Sequence, residues 1–510
     1  MAATGRHGDA DLIPRSAPGR RTALSPVPGA RDPKLAERVA ASIEADVLRA
    51  GWPVGLVIGS EDQLAARYGV GRAVIREAIR LAEHRQVARM RRGRGGGLVV
   101  VEPDASAVTE SLAIYLEYAQ AGVGDLLEAR SVLEAFAAAA AAGSGDEAGR
   151  RALRDAARAA DWPPGRRAAD LRAAGGPAPG PDGGAAESPD VHELIAQVTG
   201  NAALSLFIHA IVSLSGPLTA RPAGHQAIAE AIAAGDAGLA GDRMREHMAG
   251  LEAARPDGGA GPGPGSPDGG PGPAAGAGGR PYRPANAVAA RIRQEIVRQG
   301  WPVGQSLGFE SDLLRKYGVG RAQFREAIRI LEHHSVVRMQ RGAAGGMVVA
   351  APDGQAVVRT ASLYLTYQGL NSGHLRDLRE ELEAATLRMA VGRLDATGEE
   401  RLTAMLELER TWPDEDFPAV SHDLHAVIAG LAGNQTLALL QSILMQLSAE
   451  RLYSGNRVRV SESAAATRHA HQAIVTAMIA RDTALALRRM RKHLAALAHS
   501  TDARPAPRRR

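Results

Sequence analysis

The chain of 510 residues contains no cysteine. Its absence excludes disulfides, thiolate metal sites and cysteine nucleophiles. Aromatic residues make up only 3%, so the core has to be built from alanine, leucine, valine and isoleucine, and helices packed closely through alanine are the consequence. No apolar run approaches the roughly 18 residues of a membrane span, and the N-terminus lacks the hydrophobic segment of a signal peptide. The sequence therefore reads as cytoplasmic, with no membrane partner. The formal net charge of +5 favours a polyanionic partner without naming one.

What is present is a duplication. Tyr68-Gly-Val-Gly-Arg-Ala-Val-Ile-Arg-Glu-Ala-Ile-Arg80 returns 249 positions later as Tyr317-Gly-Val-Gly-Arg-Ala-Gln-Phe-Arg-Glu-Ala-Ile-Arg329. Aligned without a gap, 32 of the 55 positions from Ala50 to Asp104 are identical with Gln299 to Asp353. Coincidence does not produce this; the chain is a tandem repeat.

Within each copy a glycine-containing turn separates two short helical patterns. Glu61 to Tyr68 carries apolar Leu64 and Ala65, and a second helix begins near Gly71 with Ile75, Ala78, Ile79 and Ala82 at helical spacing. On its other face Arg72, Arg76 and Arg80 follow one another at i, i+4 and i+8, repeated as Arg321, Arg325 and Arg329. Such a stripe on an isolated helix is usually a solvated face. Here it is followed by Val87 to Val100, a segment holding Arg89, Arg91, Arg92, Arg94 and Gly95. That segment reads as two arginine-rich strands joined at glycines, suited to lie along a phosphate backbone behind a helix-turn-helix.

These residues resemble the winged helix-turn-helix of the GntR family of bacterial transcription regulators. The family's Glu before the first short helix, followed by Gly-Val-Ser-Arg-x-x-Val-Arg-Glu-Ala, is matched at Glu61 and Gly69 to Ala78, and again at Glu310 and Gly318 to Ala327. Two departures stand out. The family's Ser is Gly71 and Gly320 here, which removes a helix cap, and a basic residue common after the Glu is Asp62 and Ser311, which removes a phosphate contact. The resemblance implies a double-stranded DNA operator, contacted by Arg72, Val74, Arg76, Arg80, Arg92, Arg94 and Gly95 in the first copy and by Arg321, Gln323, Arg325, Arg329 and Arg341 in the second.

The expected architecture is mainly α. Residues 1–32 read as a disordered basic arm, 33–104 as the first winged domain of three helices plus a β-hairpin, and 105–254 as an antiparallel helical bundle. A Gly/Pro linker at 255–285 leads to a second winged domain at 286–353, a second bundle at 354–499 and a basic tail at 500–510. A flexible linker of about 30 residues spans roughly 30 Å, close to the ~34–36 Å between half-sites one DNA turn apart. One chain acting as a pseudo-dimer is thus within reach, as is a homodimer.

The bundles open with Arg130-Ser-Val-Leu-Glu134 and Arg379-Glu-Glu-Leu-Glu383. Both resemble the Arg-x-x-Leu-Glu opening of the all-helical effector (FCD) domain of the FadR subfamily, which implies a small-molecule effector. Arg379, and more weakly Arg130, is the candidate to pair with a carboxylate. His192 and His425 each stand nine residues before an asparagine, and His225 and His471 each precede a further histidine, His247 and His493, by 22. A turn at Arg481-Asp482, with an N-capping Asp, folds that interval into an antiparallel hairpin that brings His471 and His493 to one level. With His425 from a third helix, three imidazoles converge on Zn²⁺ or a similar ion. In the related domains an Asp four residues before the first His completes the site. Here that position is Ser421 or Ser188, and His422 is the substitute ligand.

The two bundles differ. The first has an insertion in Gly175 to Gly184 and lacks 13 residues matching the region of Ser454 to Ala466. It reads as eroded, and a divalent metal is expected in the second. Val74 against Gln323, and the richer arginine content of the first wing, predict an operator that is an imperfect palindrome. Other functions were weighed: a constitutive DNA-binding protein whose bundles only dimerise, and a metal-dependent hydrolase, for which no paired carboxylate is placed as a general base.

Overall fold

A computed structural model of the protein describes residues 35–93, 96–160, 190–215, 224–253, 284–340, 346–413, 423–453 and 460–502. The N-terminal arm, nearly all of the linker, the insertion at 175–184, most of the basic tail, and Arg94, Gly95, Arg341 and His422 lie outside the described residues.

The first winged domain consists of α1 (Leu35–Arg49), β1 (Val57–Gly59), α2 (Glu61–Tyr68), α3 (Arg72–His84), β2 (Ala88–Arg91) and β3 (Gly97–Val100). Gly69 ends α2 in the left-handed region, φ 64°, a conformation costly for other residues, and its N–H returns to Ala65 and Ala66. Ser60 and Gln63 form a capping box at the start of α2, whereas Gly71 starts α3 with no side-chain cap. Ile75, Ala78, Ile79 and Ala82 bury the inner face of α3 against Val39, Ile43, Leu64 and Leu98.

The wing carries one strand more than the expected hairpin. Its antiparallel order is β1-β3-β2, with Ala88 opposite Val100 and Arg91 opposite Gly97. Arginine is confined to β2: β3 is the middle strand, and its Gly-Leu-Val-Val sequence buries Leu98 and Val100, leaving no solvated side for a guanidinium. The second winged domain repeats this plan from Pro284–Arg298 to strands Val337–Gln340 and Gly346–Val349.

Each helical bundle opens with a leading helix, α4 (Ala105–Tyr118) in the first half and Gly354–Tyr367 in the second. Behind α4 lies α5 (Val123–Ala142), whose Ala129, Ala137, Ala138 and Ala141 are fully buried. Helix Ala237–Ala253 comes close enough that a Cβ at Gly241 would lie 3.4 Å from the Ala135 carbonyl oxygen. Small side chains are therefore what allows the packing that the scarcity of aromatics implied. The missing 13 residues have a visible result: helix His225–Ala233 has 9 residues where its counterpart Val460–Ile479 has 20.

The halves are joined by one core and by crossed docking. Leu112, Leu126 and Leu133 share a hydrophobic cluster with Leu365, Leu382, Leu437 and Leu440. The first winged domain sits on the leading helix of the second half, with Val47, Trp52, Val87 and Val100 around Leu363 and the Trp52 and Tyr367 rings 5.5 Å apart. The second winged domain sits on α4, which sends Ile114 into its core, with the Tyr118 and Trp301 rings 5.6 Å apart. Where the leading helices cross, a Cβ at Gly354 would fall 2.6 Å from the Tyr115 ring, so only glycine fits. Burying a large apolar side chain contributes about 1.5–3 kcal/mol, and these contacts bury several on each side of the pseudo-dyad.

Candidate nucleic-acid interface and histidine centres

The arginine stripe is solvent-facing in both copies. Side chains of Arg72, Arg76 and Arg80 are 60–73% exposed, and each is held by a carboxylate: Arg72 by Asp62 at 3.1 Å, Arg76 by Glu61 at 2.7 Å and Arg80 by Glu77 at 3.0 Å. In the second copy Arg325 meets Glu310 at 3.3 Å and Arg329 meets Glu326 at 3.2 Å, while Arg321 is exposed at the helix start. The Glu that opens the first short helix thus holds the middle arginine of the next. Such exposed pairs are weak and readily exchanged for phosphate or base. Arg92 is exposed beside the wing tip. Val74 and Gln323 lie at the edge of this face: Val74 is half-buried against the domain core, and Gln323 donates to the Pro284 carbonyl at 3.1 Å.

At the other end of each half, buried histidines converge. In the second half His425 Nε2 and His471 Nε2 each lie 3.3 Å from His493 Nε2. The hairpin expected at Arg481-Asp482 forms: Arg481 takes φ 58° and Asp482 caps the following helix through Leu485 N–H. The outward ring nitrogens are engaged by carboxylates, His425 Nδ1 with Glu383 at 2.5 Å and His471 Nδ1 with both oxygens of Glu409 at 2.8 and 2.9 Å. Arg379 donates through Nε to Glu383 at 2.5 Å, while its buried Nη2 has no hydrogen-bond partner among the described residues.

The electrostatics follow from burial. Burial lowers the pKa of His471 to about 4 and that of His493 to about 2, so both are neutral near pH 7. Burial alone would raise Glu383, but Arg379 and His425 hold its carboxyl far below the usual range. Glu409 is pushed up to about 8 by burial, against the pull of His425 and Arg468. A positive charge at the centre of the triad would favour ionised Glu409 with the proton on His471 Nδ1, leaving Nε2 free to donate its lone pair.

The donor set fits a tetrahedral divalent ion. Zn–N bonds of about 2.0–2.1 Å at tetrahedral angles put nitrogens about 3.3 Å apart, the separation found for the two pairs that include His493. Three buried imidazoles, two of them backed by carboxylates, are the donors such an ion takes.

The first half brings its histidines together as well. The ligand atoms of His192, His225 and His247 lie within 4.8 Å of one another, as do those of the second triad, and all six residues are buried. His192 Nδ1 is 2.5 Å from Glu134 Oε2, an ion-pair contact without an aligned hydrogen bond, and Glu134 also pairs with Arg130. Burial would raise Glu134, but His192 and Arg130 bring its pKa down to about 2. Both ring nitrogens of His247 are buried without a hydrogen-bond partner among the described residues, and burial lowers its pKa to about 3. The deletion that shortened helix His225–Ala233 therefore spared the triad. It is the backing that is thinner, because Ala160 stands at the position equivalent to Glu409.

Comparison with known proteins gives the same division twice over. The family model described as bacterial regulatory proteins, gntR family, matches residues 35–97 and 284–346, and the FCD domain model matches 125–250 and 374–496. The chain belongs to the GntR family. This GntR protein is 26% identical over 221 residues to the HTH-type transcriptional repressor NanR of Cronobacter sakazakii, an alignment covering 41% of this chain and 81% of NanR. It is 32% identical over 121 residues to an HTH-type transcriptional regulator, RmpR, of Mycobacterium gastri, spanning 23% of this chain and 43% of that one. A solved GntR structure from Streptococcus agalactiae aligns over 42% of this chain and 99% of its own at 18% identity, with a TM-score of 0.34. As a GntR-type regulator with FCD effector domains, the protein binds DNA through its winged domains. Among the described residues, no helix is long and apolar enough to cross a membrane.

Other residues of this GntR protein join the halves without having been singled out in the sequence. Asn434 caps its helix through Leu437 N–H and donates to the Asp125 carbonyl and to Glu128, each at 2.9 Å, while Asn201 donates to the His374 carbonyl at 3.3 Å. In the sequence both asparagines are only landmarks nine residues after His192 and His425. A buried amide nine residues beyond a metal-site histidine in both copies was the available signal.

Proposed function

We propose that this chain is a ligand-responsive regulator that presents both DNA-reading domains from one polypeptide and recognises an imperfect palindrome as an intramolecular pseudo-dimer. The observation that carries the reading is the crossed docking of each winged domain on the leading helix of the other half, around a single shared core. A half taken alone would leave Leu363 and Ile114 without their covering domains. Footprinting with mass measurement of the complex tests this: one chain on an imperfect two-fold site is expected, and two chains on a perfectly symmetric site would sink it.

The effector is a small carboxylate held at a divalent metal. His425, His471 and His493 would hold the ion in the second half and His192, His225 and His247 in the first, and the ion would supply an open coordination position for an anionic group. Arg379 Nη2, buried and unpartnered among the described residues, is the protein's own donor for such a group. Melting shifts with a panel of small carboxylates, with and without a divalent ion, test the effector class.

A further inference from the structure

The two crossed docking surfaces are built from equivalent positions of the repeat, yet their charges are transposed. In the first winged domain position 44 is Glu44, and its partner on the opposite leading helix is Arg359. Arg359 Nη2 lies 2.6 Å from Glu44 Oε2, and Arg85 closes on the other oxygen at 2.5 Å. Glu44 is fully buried. The equivalent position in the second winged domain is Arg293, and the equivalent of Arg359 on the first leading helix is Glu110. Arg293 and Glu110 line one cavity of about 420 Å³, and Arg293 Nε is 3.4 Å from Glu117, whose counterpart is the uncharged Thr366. At position 85, Arg85 is replaced by His334, which sits 3.7 Å from Glu110.

We infer that this transposition is a pairing code: it lets each winged domain dock only on the leading helix of the other half and rejects docking of like on like between two copies of the chain. Superposing the repeat states the rule. A first-half pair from two chains would set Glu44 against Glu110, and a second-half pair would set Arg293 against Arg359. Either arrangement sets like charges against each other, with Glu44 fully buried in the first case and Arg293 and Arg359 both largely buried in the second, and so disfavours the wrong pairing. The apolar part of the surface cannot discriminate, because Trp52 and Trp301 and Val47 and Ile296 serve both sides alike. Discrimination rests on the charges. The inference deepens the pseudo-dimer reading, and its test uses no DNA, so failure of single-chain operator binding and failure of the pairing code are separately visible.

The absence of cysteine makes the test clean in the full chain. Ser111 Oγ and His334 Nδ1 are 3.4 Å apart across the second interface, so S111C with H334C reports native docking by closing within one chain. The equivalent of His334 is Arg85, so S111C with R85C reports like-on-like docking between two chains. In the parent background the first pair is expected to close efficiently and the second to link no chains. Adding R293E is expected to lower closure of the first pair about tenfold or more, and E110R alone likewise. Combining E110R and E117T with R293E gives this interface the charges of the first, a Glu facing an Arg with Thr in place of the Glu117 carboxylate, and is expected to restore closure. The neutral R293Q, expected between the parent and R293E, separates loss of charge from loss of fold. Linking of two chains by S111C with R85C in the parent, failure of the combined E110R, E117T and R293E change to rescue, or closure indifferent to all four changes would each overturn the code.

Discussion

His84 and His333, the last residues of helices Arg72–His84 and Arg321–His333, meet with ring centroids 4.6 Å apart and ring planes tilted by 47°. The helices come from different halves of the chain, so this contact joins the ends of the two arginine-striped helices. His334 extends the contact to α4 through Ser111 and Glu110.

Acid should loosen this junction. His334 has a side chain only 7% exposed, and burial, with His333, His84 and Arg293 beside it, lowers its pKa to about 3. The unfolded chain therefore binds a proton near pH 6.5 that the folded chain refuses until much lower pH. Stability from this group is complete above about pH 6.5 and is lost as pH falls toward 3. Between pH 6.5 and 4.5 the loss amounts to about 2 kcal/mol. Denaturant unfolding of H334Q across that range is expected to be flatter by this amount, and an unchanged slope would refute the assignment.

Arg76→Ala and Arg325→Ala should each weaken operator binding while leaving the helical content unchanged, because both side chains are at least 60% exposed. Loss of one bidentate base contact, about 1–3 kcal/mol, corresponds to roughly 5- to 150-fold in affinity. Anisotropy titrations at about 150 mM salt provide the check.

Metal should bind in both halves, more tightly in the second. There Glu383 and Glu409 back two imidazoles, whereas in the first half Glu134 alone, among the described residues, is placed to do so. With its pKa near 8, Glu409 must give up a proton as the ion enters, so affinity in the second half is expected to rise with pH up to about 8. Glu409→Gln should weaken binding about 10- to 100-fold and flatten that rise. Chelator competition in a His247→Ala background, which isolates the second site, measures both.

The wings should differ in their dependence on salt. Arg91 on β2 of the first wing corresponds to Gln340 in the second. Arg91→Gln is expected to reduce the slope of log affinity against log salt by about 1, with little change in sequence preference. A change of preferred site with an unaltered slope would instead place Arg91 on a base.

Much of this was legible because duplication supplied its own control. The hairpin at Arg481-Asp482, and with it the approach of His471 to His493, follows from spacing, while the helix-turn-helix and the place of His425 beside that pair rest on the family resemblance as well. The third wing strand did not, because Val57 to Gly59 is three residues long and carries no alternation to distinguish it from the turn before it. The first bundle is shortened without loss of its triad: the 13-residue deletion removes helix length at one end, while His225 and His247 keep the interval that the turn at Gly235-Asp236 folds back. The crossed docking was invisible, since a sequence pattern marks which face of α4 is apolar but not which domain will cover it.

Arg359 holds Glu44 of the first winged domain while also pairing with Glu450, on the helix whose Gln441 donates to the His425 carbonyl at 3.2 Å. That helix, Gln435–Tyr453, packs along the leading helix Gly354–Tyr367. A shift at the second histidine centre is therefore expected to reach the winged domain encoded some 300 residues earlier, through Glu450 and Arg359. The steering is crossed like reins in opposite hands: a damaged pocket on one side should silence the operator half-site read by the other.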